Sequence, residues 1–444
     1  MKNIDGLEMF SSPEKGRGLR VSRGFSVGEL LFSCPAYSSV LSVSERGSCC
    51  DLCFRRKQGL ARCGKCKKAF YCNASCQKAD WAMHKLECSA MVAFGENWCP
   101  SERSRLVARI LAKKKLQKER CDSEKILLIG EMQSHLEDED NEKKEKTEAD
   151  IAGLSRFFSK HLEVPSHRDL LTLFSQVACN GFTIEDDELS HMGTAVYPDV
   201  ALINHSCLPS VIVTFNGTKA EVRAVQDMKP GDEVLISYID LLYPTDDRKS
   251  RLRESYYFTC ECPECQKKIQ GRNKKIKLKK TSFSKNFFFR IQTINSDPIE
   301  PQVISNMTRY AKNTIREFRS APPSELLEMC EQSLEEMGAV FEDSNIYVLH
   351  MMYQAMGVCI YMQDADGALR YGEKLPFKKT NINLYPPYSL NVSSLYLKLG
   401  RIYMTMGRHS EGIKALTKAI AIMEVAHGKD HHYLQDIRKE LTQK

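Results

Sequence analysis

The alternation of apolar and polar positions predicts short β-strands in two separate parts of the chain. Near the start, residues 16–32 contain short apolar runs with glycine turns between them. Further on, residues 211–215 and 220–225 flank Asn216-Gly217, a pair that favours the type I′ turn of a hairpin, and residues 234–238 form another run. Because other sequence interrupts these β-rich parts, the pattern predicts one fold with insertions, of the α+β class.

Helical periodicity is found in the intervening part and at the end of the chain. Between about residues 100 and 173 the apolar positions recur at helical spacing, as in Leu106 and Ile110, and later Ile126 and Ile129. From about residue 300 to residue 444 the pattern is helical throughout, with an irregular repeat of small residues where helices would cross. This repeat predicts stacked helical hairpins of tetratricopeptide type, which are usually binding surfaces and not catalysts.

Composition and charge narrow the class of protein. With 444 residues, 42% apolar and 27% charged, the chain has the composition of a globular protein. It has no apolar run of 18 residues and no apolar leader at its start, so we expect neither a membrane span nor secretion. Nine of the basic residues lie between Lys267 and Lys285 without an acidic one, and the remainder is nearly neutral. This argues against a broad nucleic-acid-binding surface.

Eighteen cysteines, most of them in close pairs, indicate metal binding in an intracellular protein. The first cluster has eight ligands: Cys50-x2-Cys53-x9-Cys63-x2-Cys66-x5-Cys72-x3-Cys76-x7-His84-x3-Cys88. Zinc takes four such ligands, and alternating pairs predict two sites. We assign Cys50, Cys53, Cys72 and Cys76 to zinc one, and Cys63, Cys66, His84 and Cys88 to zinc two. The alternative, buried free cysteines, does not explain the regular spacing. Between the ligands, Gln77, Lys78 and Trp81 either line a peptide groove or, for Trp81, pack internally.

The second cluster, Cys260-x-Cys262-x2-Cys265, has only three ligands. A closed structural zinc site needs a fourth, and Cys207 in Asn204-His205-Ser206-Cys207 is the best candidate. Zinc three would then be structural and lie beside a functional site, because Asn204 and His205 are polar residues next to an apolar stretch. The seven remaining cysteines are expected to be buried thiols: Cys34, Cys49, Cys99, Cys121, Cys179, Cys330 and Cys359.

Several of these motifs together resemble a SET domain, the fold of lysine methyltransferases that use S-adenosylmethionine. They are Gly16-Arg17-Gly18, Asn204-His205-Ser206-Cys207, Gly231-Asp232-Glu233-Val234 with Ser237-Tyr238, and the Cys-x-Cys-x2-Cys tail. The eight-ligand cluster resembles a MYND zinc finger. The whole chain therefore resembles the SET-and-MYND-domain protein-lysine methyltransferase family, and residues 180–186 and 238–244 look closest to its second member.

The resemblance implies seven segments. They are a SET N-terminal part (1–49), the MYND finger (50–88), a helical SET insertion (89–175), the SET core (176–245), a post-SET zinc segment (246–266), a basic linker (267–295) and a tetratricopeptide-like helical domain (296–444). Residues 267–290 depart from the family's usual linker, and this part of the chain also carries three phenylalanines at 287–289.

The resemblance also implies roles for individual residues. S-adenosylmethionine would be bound by Lys15, Gly16, Arg17, His135, Asn204, His205, Tyr256, Tyr257 and Phe258. The channel for the target lysine would be formed by Phe182, Tyr238 and Tyr256. Tyr238 and Tyr256 would be the catalytic pair, with the Tyr238 hydroxyl orienting the lysine nitrogen.

Two functions from different classes are therefore weighed. The first is a lysine methyltransferase acting on histone tails and non-histone proteins in cytoplasm and nucleus. The second is a non-catalytic adaptor or corepressor that binds proline-rich peptides through the MYND finger and a chaperone through the helical domain. Because Asn204, His205 and Tyr238 are all present, the enzyme is favoured. We expect a monomer that neither reads DNA sequence nor enters a membrane.

Overall fold

The computed structural model describes residues 4–160, 162–266, 300–318, 321–322, 324–343, 345–375 and 385–442, so the expected basic linker at 267–295 lies outside the described residues. The strands are β1 (Leu7–Ser12), β2 (Gly16–Val21), β3 (Leu30–Pro35), β4 (Ser38–Leu41), β5 (Ala61–Arg62), β6 (Phe70–Tyr71), β7 (Gly181–Glu185), β8 (His191–Val196), β9 (Asn204–His205), β10 (Val211–Asn216), β11 (Lys219–Ala224) and β12 (Leu235–Ile236). The helices are α1 (Ala74–Phe94), α2 (Glu102–Leu116), α3 (Asn141–Phe158), α4 (His167–Asn180), α5 (Pro198–Ala201), α6 (Thr245–Tyr256), α7 (Pro263–Gln266), α8 (Pro301–Glu317), α9 (Leu326–Gly338), α10 (Ile346–Tyr361), α11 (Ala365–Gly372), α12 (Leu390–Thr405), α13 (His409–His427) and α14 (His432–Thr442).

The two β-rich parts of the sequence build one fold, as predicted. Strand β3 pairs with β11, and β4 pairs with β8, so early strands join late ones in antiparallel sheets. The order within these sheets is β10-β11-β3 and β4-β8-β7, while β1 and β2 form a separate hairpin. One large apolar core lies under these strands and extends beneath the cysteine-rich segment and α2 to α4. The insertions are therefore packed into the same body as the strands.

The predicted hairpin at Asn216-Gly217 is confirmed. Strands β10 and β11 pair in antiparallel register down to Asn216 opposite Lys219, so the central turn residues are Gly217 and Thr218. The expected type I′ turn is wrong, because of these two only Gly217 has a positive φ, 61°, and glycine at the first central position is typical of type II′. The strand predicted at 234–238 is shorter than expected, because only Leu235 and Ile236 pair, in parallel with β9. The chain then leaves the sheet at Ser237, and this departure frees Tyr238 for other contacts.

The helical periodicity predicted through Ile126 and Ile129 is wrong. The backbone N–H groups of Lys125, Ile126 and Leu127 instead donate to the carboxylate of Asp199, which is fully buried. Three donors on one carboxylate hold this segment out of helical geometry, since those groups are no longer available to the i−4 carbonyls. This contact holds the segment, which follows α2 in the sequence, against the short helix α5.

The C-terminal part consists of helices packed as hairpins, as predicted, and Gly400 and Gly412 of the expected repeat lie at close crossings, whereas a Cβ added to Gly357 would meet nothing within 4 Å. A Cβ added to Gly372 would meet Leu399 Cδ2 at 2.5 Å, and one added to Gly400 would meet Leu416 Cγ at 2.7 Å. These approaches leave no room for a larger side chain, so the glycines set the spacing of α11, α12 and α13. A second apolar core forms between these helices and α8 to α10.

The cysteines outside the three clusters differ in burial. Among the unpaired cysteines, Cys34, Cys49, Cys330 and Cys359 are buried, Cys121 and Cys179 are partly buried, and Cys99 is exposed, so the expectation was wrong for Cys99.

Within the described ranges, no helix combines the length and the apolar character needed to cross a membrane.

Candidate functional site

The eight ligands of the first cluster come together in the two predicted sets. In the set of zinc one, Cys50, Cys53, Cys72 and Cys76, the sulfur atoms of Cys53 and Cys72 are 3.7 Å apart. Strand β6 ends just before Cys72, and the Asn73 side chain caps α1 by accepting from Cys76 N–H, which fixes the spacing of this pair. Tetrahedral zinc–sulfur bonds of about 2.3 Å require sulfur–sulfur separations of about 3.8 Å. The set therefore fits zinc.

The set of zinc two, Cys63, Cys66, His84 and Cys88, has the same geometry. The sulfur atoms of Cys63 and Cys88 are 3.8 Å apart, and Cys66 Sγ lies 3.5 Å from His84 Nε2. A mixed sulfur–nitrogen edge of a zinc tetrahedron measures about 3.6 Å, so this set also fits zinc. About forty residues hold both sets, so the metals would supply much of the stability of this module.

The third set confirms the proposed partnership of Cys207 with the post-SET cysteines. Cys207, Cys260, Cys262 and Cys265 lie together, and Cys207 Sγ is 3.6 Å from Cys265 Sγ. The buried Arg248 of α6 donates Nε to Cys207 Sγ at 3.3 Å and approaches Cys265 Sγ at 3.8 Å. Four thiolates around Zn²⁺ carry a net charge of −2, which a buried guanidinium partly neutralises.

His205 connects this zinc set to the candidate active site. Its Nδ1 accepts from the backbone N–H of Tyr238 at 3.0 Å, and its Nε2 lies 3.5 Å from Cys207 Sγ. Burial lowers the pKa of His205 to about 4, so the ring is neutral and Nδ1 has a lone pair to accept with. The proton then resides on Nε2, directed at the sulfur. One imidazole thus fixes the position of Tyr238 relative to the metal.

A group of aromatic rings packs beside His205. The ring centroids of Tyr238 and Tyr256 are 4.8 Å apart, and the ring of Phe258 lies 6.3 Å from Tyr238 and 5.9 Å from His205. The Tyr238 hydroxyl donates to the carbonyl oxygen of Ile203 at 2.6 Å. Burial first, and then Tyr256, raise the pKa of Tyr238, so its hydroxyl stays neutral at physiological pH.

A polar group adjoins the aromatic one through the neighbouring residue Asn204. Its side-chain amide donates to Glu233 Oε1 at 3.0 Å, and Lys15 Nζ contacts Glu233 Oε2 at 2.5 Å. A Cβ added to Gly18 would meet Asn204 Nδ2 at 2.6 Å, so only glycine permits this approach. A Cβ added to Gly16, which has a φ of 68°, would meet nothing within 4 Å, so this backbone borders open space.

The loop that carries His135 closes another side of the site. Arg17 Nη2 donates to Glu131 O in this loop at 2.6 Å. His135, with a φ of 51°, stacks on Tyr257 with ring centroids 5.0 Å apart and an interplanar angle of 21°. Tyr257 also has a positive φ, 62°, and its hydroxyl accepts from Lys143 Nζ at 3.1 Å. Such backbone conformations are uncommon outside glycine and cluster at functional sites.

The structure does not bring all predicted residues into direct contact. Phe182 packs its ring against Tyr197 at 5.7 Å, and within the described part of the chain no ring contact joins Phe182 to Tyr238 or Tyr256. Conversely, Glu233 connects Lys15 to Asn204 and was not selected from the sequence as a site residue. Its position in Gly231-Asp232-Glu233-Val234, one of the motifs noted above, was the available signal.

The chemistry of these groups can be compared with the proposed methyl donor. S-adenosylmethionine carries an α-carboxylate and an α-ammonium group, which call for cationic donors and for oxygen acceptors. The donors for the carboxylate are Lys15, Arg17 and the Asn204 amide, and the acceptor for the ammonium group is Glu233. These side chains surround the open space at Gly16. The residues present fit this group.

Comparisons with known proteins define the class. The MYND finger family matches residues 50–88. The chain is 61% identical over 98% of its length to the N-lysine methyltransferase SMYD2 of Gallus gallus, covering 97% of that protein. The solved SET domain of LSMT bound to lysine and AdoHcy is 12% identical with a TM-score of 0.33, covering all of this chain and 88% of that one, a similarity too low to carry an argument.

These findings identify a SET-domain enzyme with an inserted MYND finger: the chain belongs to the SET-and-MYND N-lysine methyltransferase family. Within that family its similarity is to SMYD2. It is 59% identical to SMYD2 of Homo sapiens and to SMYD2-B of Danio rerio, each over 99% of this chain, and it covers 99% of the first relative and 98% of the second.

Proposed function

We propose that the protein transfers a methyl group from S-adenosylmethionine to lysine side chains of histone and non-histone proteins. The supporting observation is the adjacency of Asn204 and His205. The first belongs to the polar group with Lys15 and Glu233, and the second fixes Tyr238 in the aromatic group. Two neighbouring residues thus join polar side chains suited to a charged amino-acid portion with aromatic rings suited to the apolar stem of a lysine.

The donor, when bound, supplies a methyl group already activated on a sulfonium. The chain's task is to deliver a neutral lysine nitrogen in line with that carbon, at about 3–3.5 Å. A free lysine has a pKa of about 10.4 and is protonated at neutral pH. The rings of Tyr238, Tyr256 and Phe258 exclude water from its ammonium group, which lowers this pKa and releases the proton to solvent.

Tyr238 orients the nitrogen. Its proton is already donated to Ile203 O, so the hydroxyl oxygen presents its lone pairs and can accept an N–H of the incoming amine. Because the pKa of Tyr238 is raised, the hydroxyl is not a base at neutral pH. Its role is alignment, while the ring of Tyr256 packs against it and the Tyr256 hydroxyl donates weakly to the backbone carbonyl oxygen of Tyr238 at 3.4 Å.

Tyr238→Phe tests this assignment. We expect methyl transfer to fall by about 100-fold, since misalignment of the reacting atoms costs on this order. Transfer of a labelled methyl group to purified histones and to a panel of other proteins measures this. Calorimetric affinity for S-adenosylmethionine should remain close to that of the wild type, because Tyr238 is assigned to the lysine channel and not to the donor-binding residues. Near-normal transfer by the variant would contradict the mechanism.

The adaptor function is retained as a second proposal because of Trp81. Its side chain lies on α1 between zinc ligands, its ring contacts His84, and it is 46% exposed, so packing does not account for it. An exposed aromatic ring on a metal-fixed helix suits a proline-rich peptide, and the C-terminal hairpins suit a chaperone tail. Trp81→Ala should abolish binding of a proline-rich peptide while methyl transfer persists. If Trp81→Ala reduced both equally, the two roles would not be separable.

We also propose that the protein acts in the cytoplasm and the nucleus and that it is a monomer. Microscopy of the tagged full chain and light scattering of the purified protein test these two statements.

A further inference from the structure

A cluster of titratable side chains without cysteine lies where the SET strands meet the last two helices. Asp187 is in the turn between β7 and β8, His427 is the final residue of α13, and His431 immediately precedes α14. Their candidate ligand atoms all lie within 4.8 Å of one another. Since none of these residues takes part in the methyl-transfer site described above, the cluster requires a separate explanation.

The hydrogen bonding of the cluster is incomplete. His427 Nε2 and His431 Nδ1 are buried and have no hydrogen-bond partner. The nearest carboxylate atom to His431 Nδ1 is Asp187 Oδ1, at 3.7 Å, which is beyond hydrogen-bonding distance. A buried polar atom left without a partner costs about 1–3 kcal/mol, and two in one cluster are unusual in a folded protein.

We propose that Asp187, His427 and His431 bind a divalent transition-metal ion, with zinc as the ion that best suits two imidazoles and a carboxylate. Zinc bonds to nitrogen and oxygen are about 2.0–2.2 Å long. Two bonds of about 2.1 Å span 3.7 Å when the angle at the ion is about 125°, which lies within the range of a distorted four-coordinate site. Small side-chain rotations bring the remaining ligand atoms to the same distance.

The charge state of the cluster supports this assignment. Burial, followed by neighbouring histidines and Arg223, lowers the pKa of His427 to about 3, and burial and His432 lower that of His431 to about 4. Both imidazoles are therefore neutral and able to coordinate. Burial raises the pKa of Asp187 to about 6, which a nearby cation would reverse. A fourth position is available for water or for His432, whose Nε2 lies 3.7 Å from Asp187 Oδ2.

The consequence of metal binding here would be mechanical. Asp187 belongs to the SET fold, whereas both histidines belong to the C-terminal helices, so one ion would join the two parts. The same interface already contains contacts of Glu188 with Arg401 Nη1 at 2.7 Å and with the Tyr433 hydroxyl at 2.6 Å. A metal bond added to these partly exposed contacts would hold the helical part more firmly against the strands.

Metal counting on the full chain tests the proposal. Protein carrying its three cysteine-bound zinc ions is titrated with zinc in a calorimeter, and zinc per chain is measured by mass spectrometry. We expect a fourth equivalent in the wild type and none in the double variant Asp187→Asn/His431→Gln. The matched control is His409→Gln, which changes an exposed histidine at the start of α13. This variant should still bind the fourth equivalent of zinc. Absence of a fourth equivalent in the wild type, or its persistence in the double variant, would overturn the proposal.

Cobalt substitution distinguishes loss of this site from misfolding. Only the cysteine sites give a thiolate-to-cobalt charge-transfer band, so the band should be equal in wild type and variant while the cobalt count differs by one. His427→Gln, a single conservative change, should also lose one cobalt with the band unchanged. If the band fell in step with the cobalt count, the missing ion would belong to a cysteine site and the assignment would be wrong.

Discussion

A buried ion network between the MYND helix and the SET fold gives a prediction of large magnitude. Glu87 of α1, adjacent to the zinc ligand Cys88, is 1% exposed and pairs with Arg105 at 2.7 Å and Arg109 at 3.3 Å. Arg105 in turn donates to the carbonyl oxygen of Leu41 on β4 at 2.6 Å. Through these contacts one carboxylate connects the zinc finger, α2 and the central strands.

Glu87→Gln keeps the size of the side chain and removes its charge. Burial alone would raise the pKa of Glu87, but Arg105, Arg109 and Arg46 lower it below its usual range, so the wild-type group is ionised. Neutralising it leaves the buried Arg105 without its counter-charge, while Arg109 keeps its ion pair with Asp80 and Arg46 keeps its pair with Asp51. Removing one partner of a buried pair typically costs about 3–5 kcal/mol. For a unit of this size, that corresponds to a melting temperature lowered by about 6–20 °C, measurable by calorimetry at neutral pH.

The matched control is Glu96→Gln. Glu96 also forms an ion pair, with Lys68 at 3.0 Å, but its side chain is 97% exposed. Exposed pairs contribute about 0–1 kcal/mol, so the control should melt close to the wild type. If Glu87→Gln melted within about 2 °C of Glu96→Gln, the network would not be a source of stability and the argument from burial would be refuted.

Two further predictions concern the active site and its metal. Gly18→Ala should weaken S-adenosylmethionine binding at least tenfold in calorimetry, because the new Cβ displaces Asn204, whereas Gly24→Ala, with its nearest contact at 3.6 Å, should bind normally; equal affinities would argue against the polar group. Cys260→Ser should lower zinc content by one ion per chain and reduce methyl transfer, since the buried Arg248 loses its thiolate partners; an unchanged zinc content would show that Cys260 is not a ligand.

The metal sites could be predicted from the sequence because their chemistry is local. Pairs such as Cys63-x2-Cys66 place two ligands on one ion regardless of the remaining fold, and only the pairing of pairs required further reasoning. The partner of the three-cysteine tail, Cys207, was found because four ligands are obligatory. The number of ligands that zinc requires therefore identified a ligand that is distant in the sequence.

The features that could not be predicted depend on contacts between distant segments. Lys15 and Glu233 are 218 positions apart, and no pattern around either indicates the other. The segment at Ile126 has helical periodicity but is held by Asp199, 73 positions away. Nothing in the sequence distinguishes Glu87 from a charged residue on an exposed helix, because its burial depends on packing against α2. Long-range polar contacts are thus the main source of error, since periodicity reports only on the nearest turns.

The pairing of β3 with β11 has a consequence for synthesis on the ribosome. Pro35 lies opposite Lys219, so β3 must wait for some 180 further residues before its partner strand β11 is made, whereas β1 and β2 pair with each other at once. At about 5–20 residues per second, this interval lasts roughly 10–40 s, during which the edges of the nascent strands are open to other chains. The cysteine-rich module emerges early in that interval, and because all eight of its ligands are made by residue 88, it can bind its metal ions before β11 exists. Zinc supply during translation would then decide how much of the newly made chain escapes aggregation.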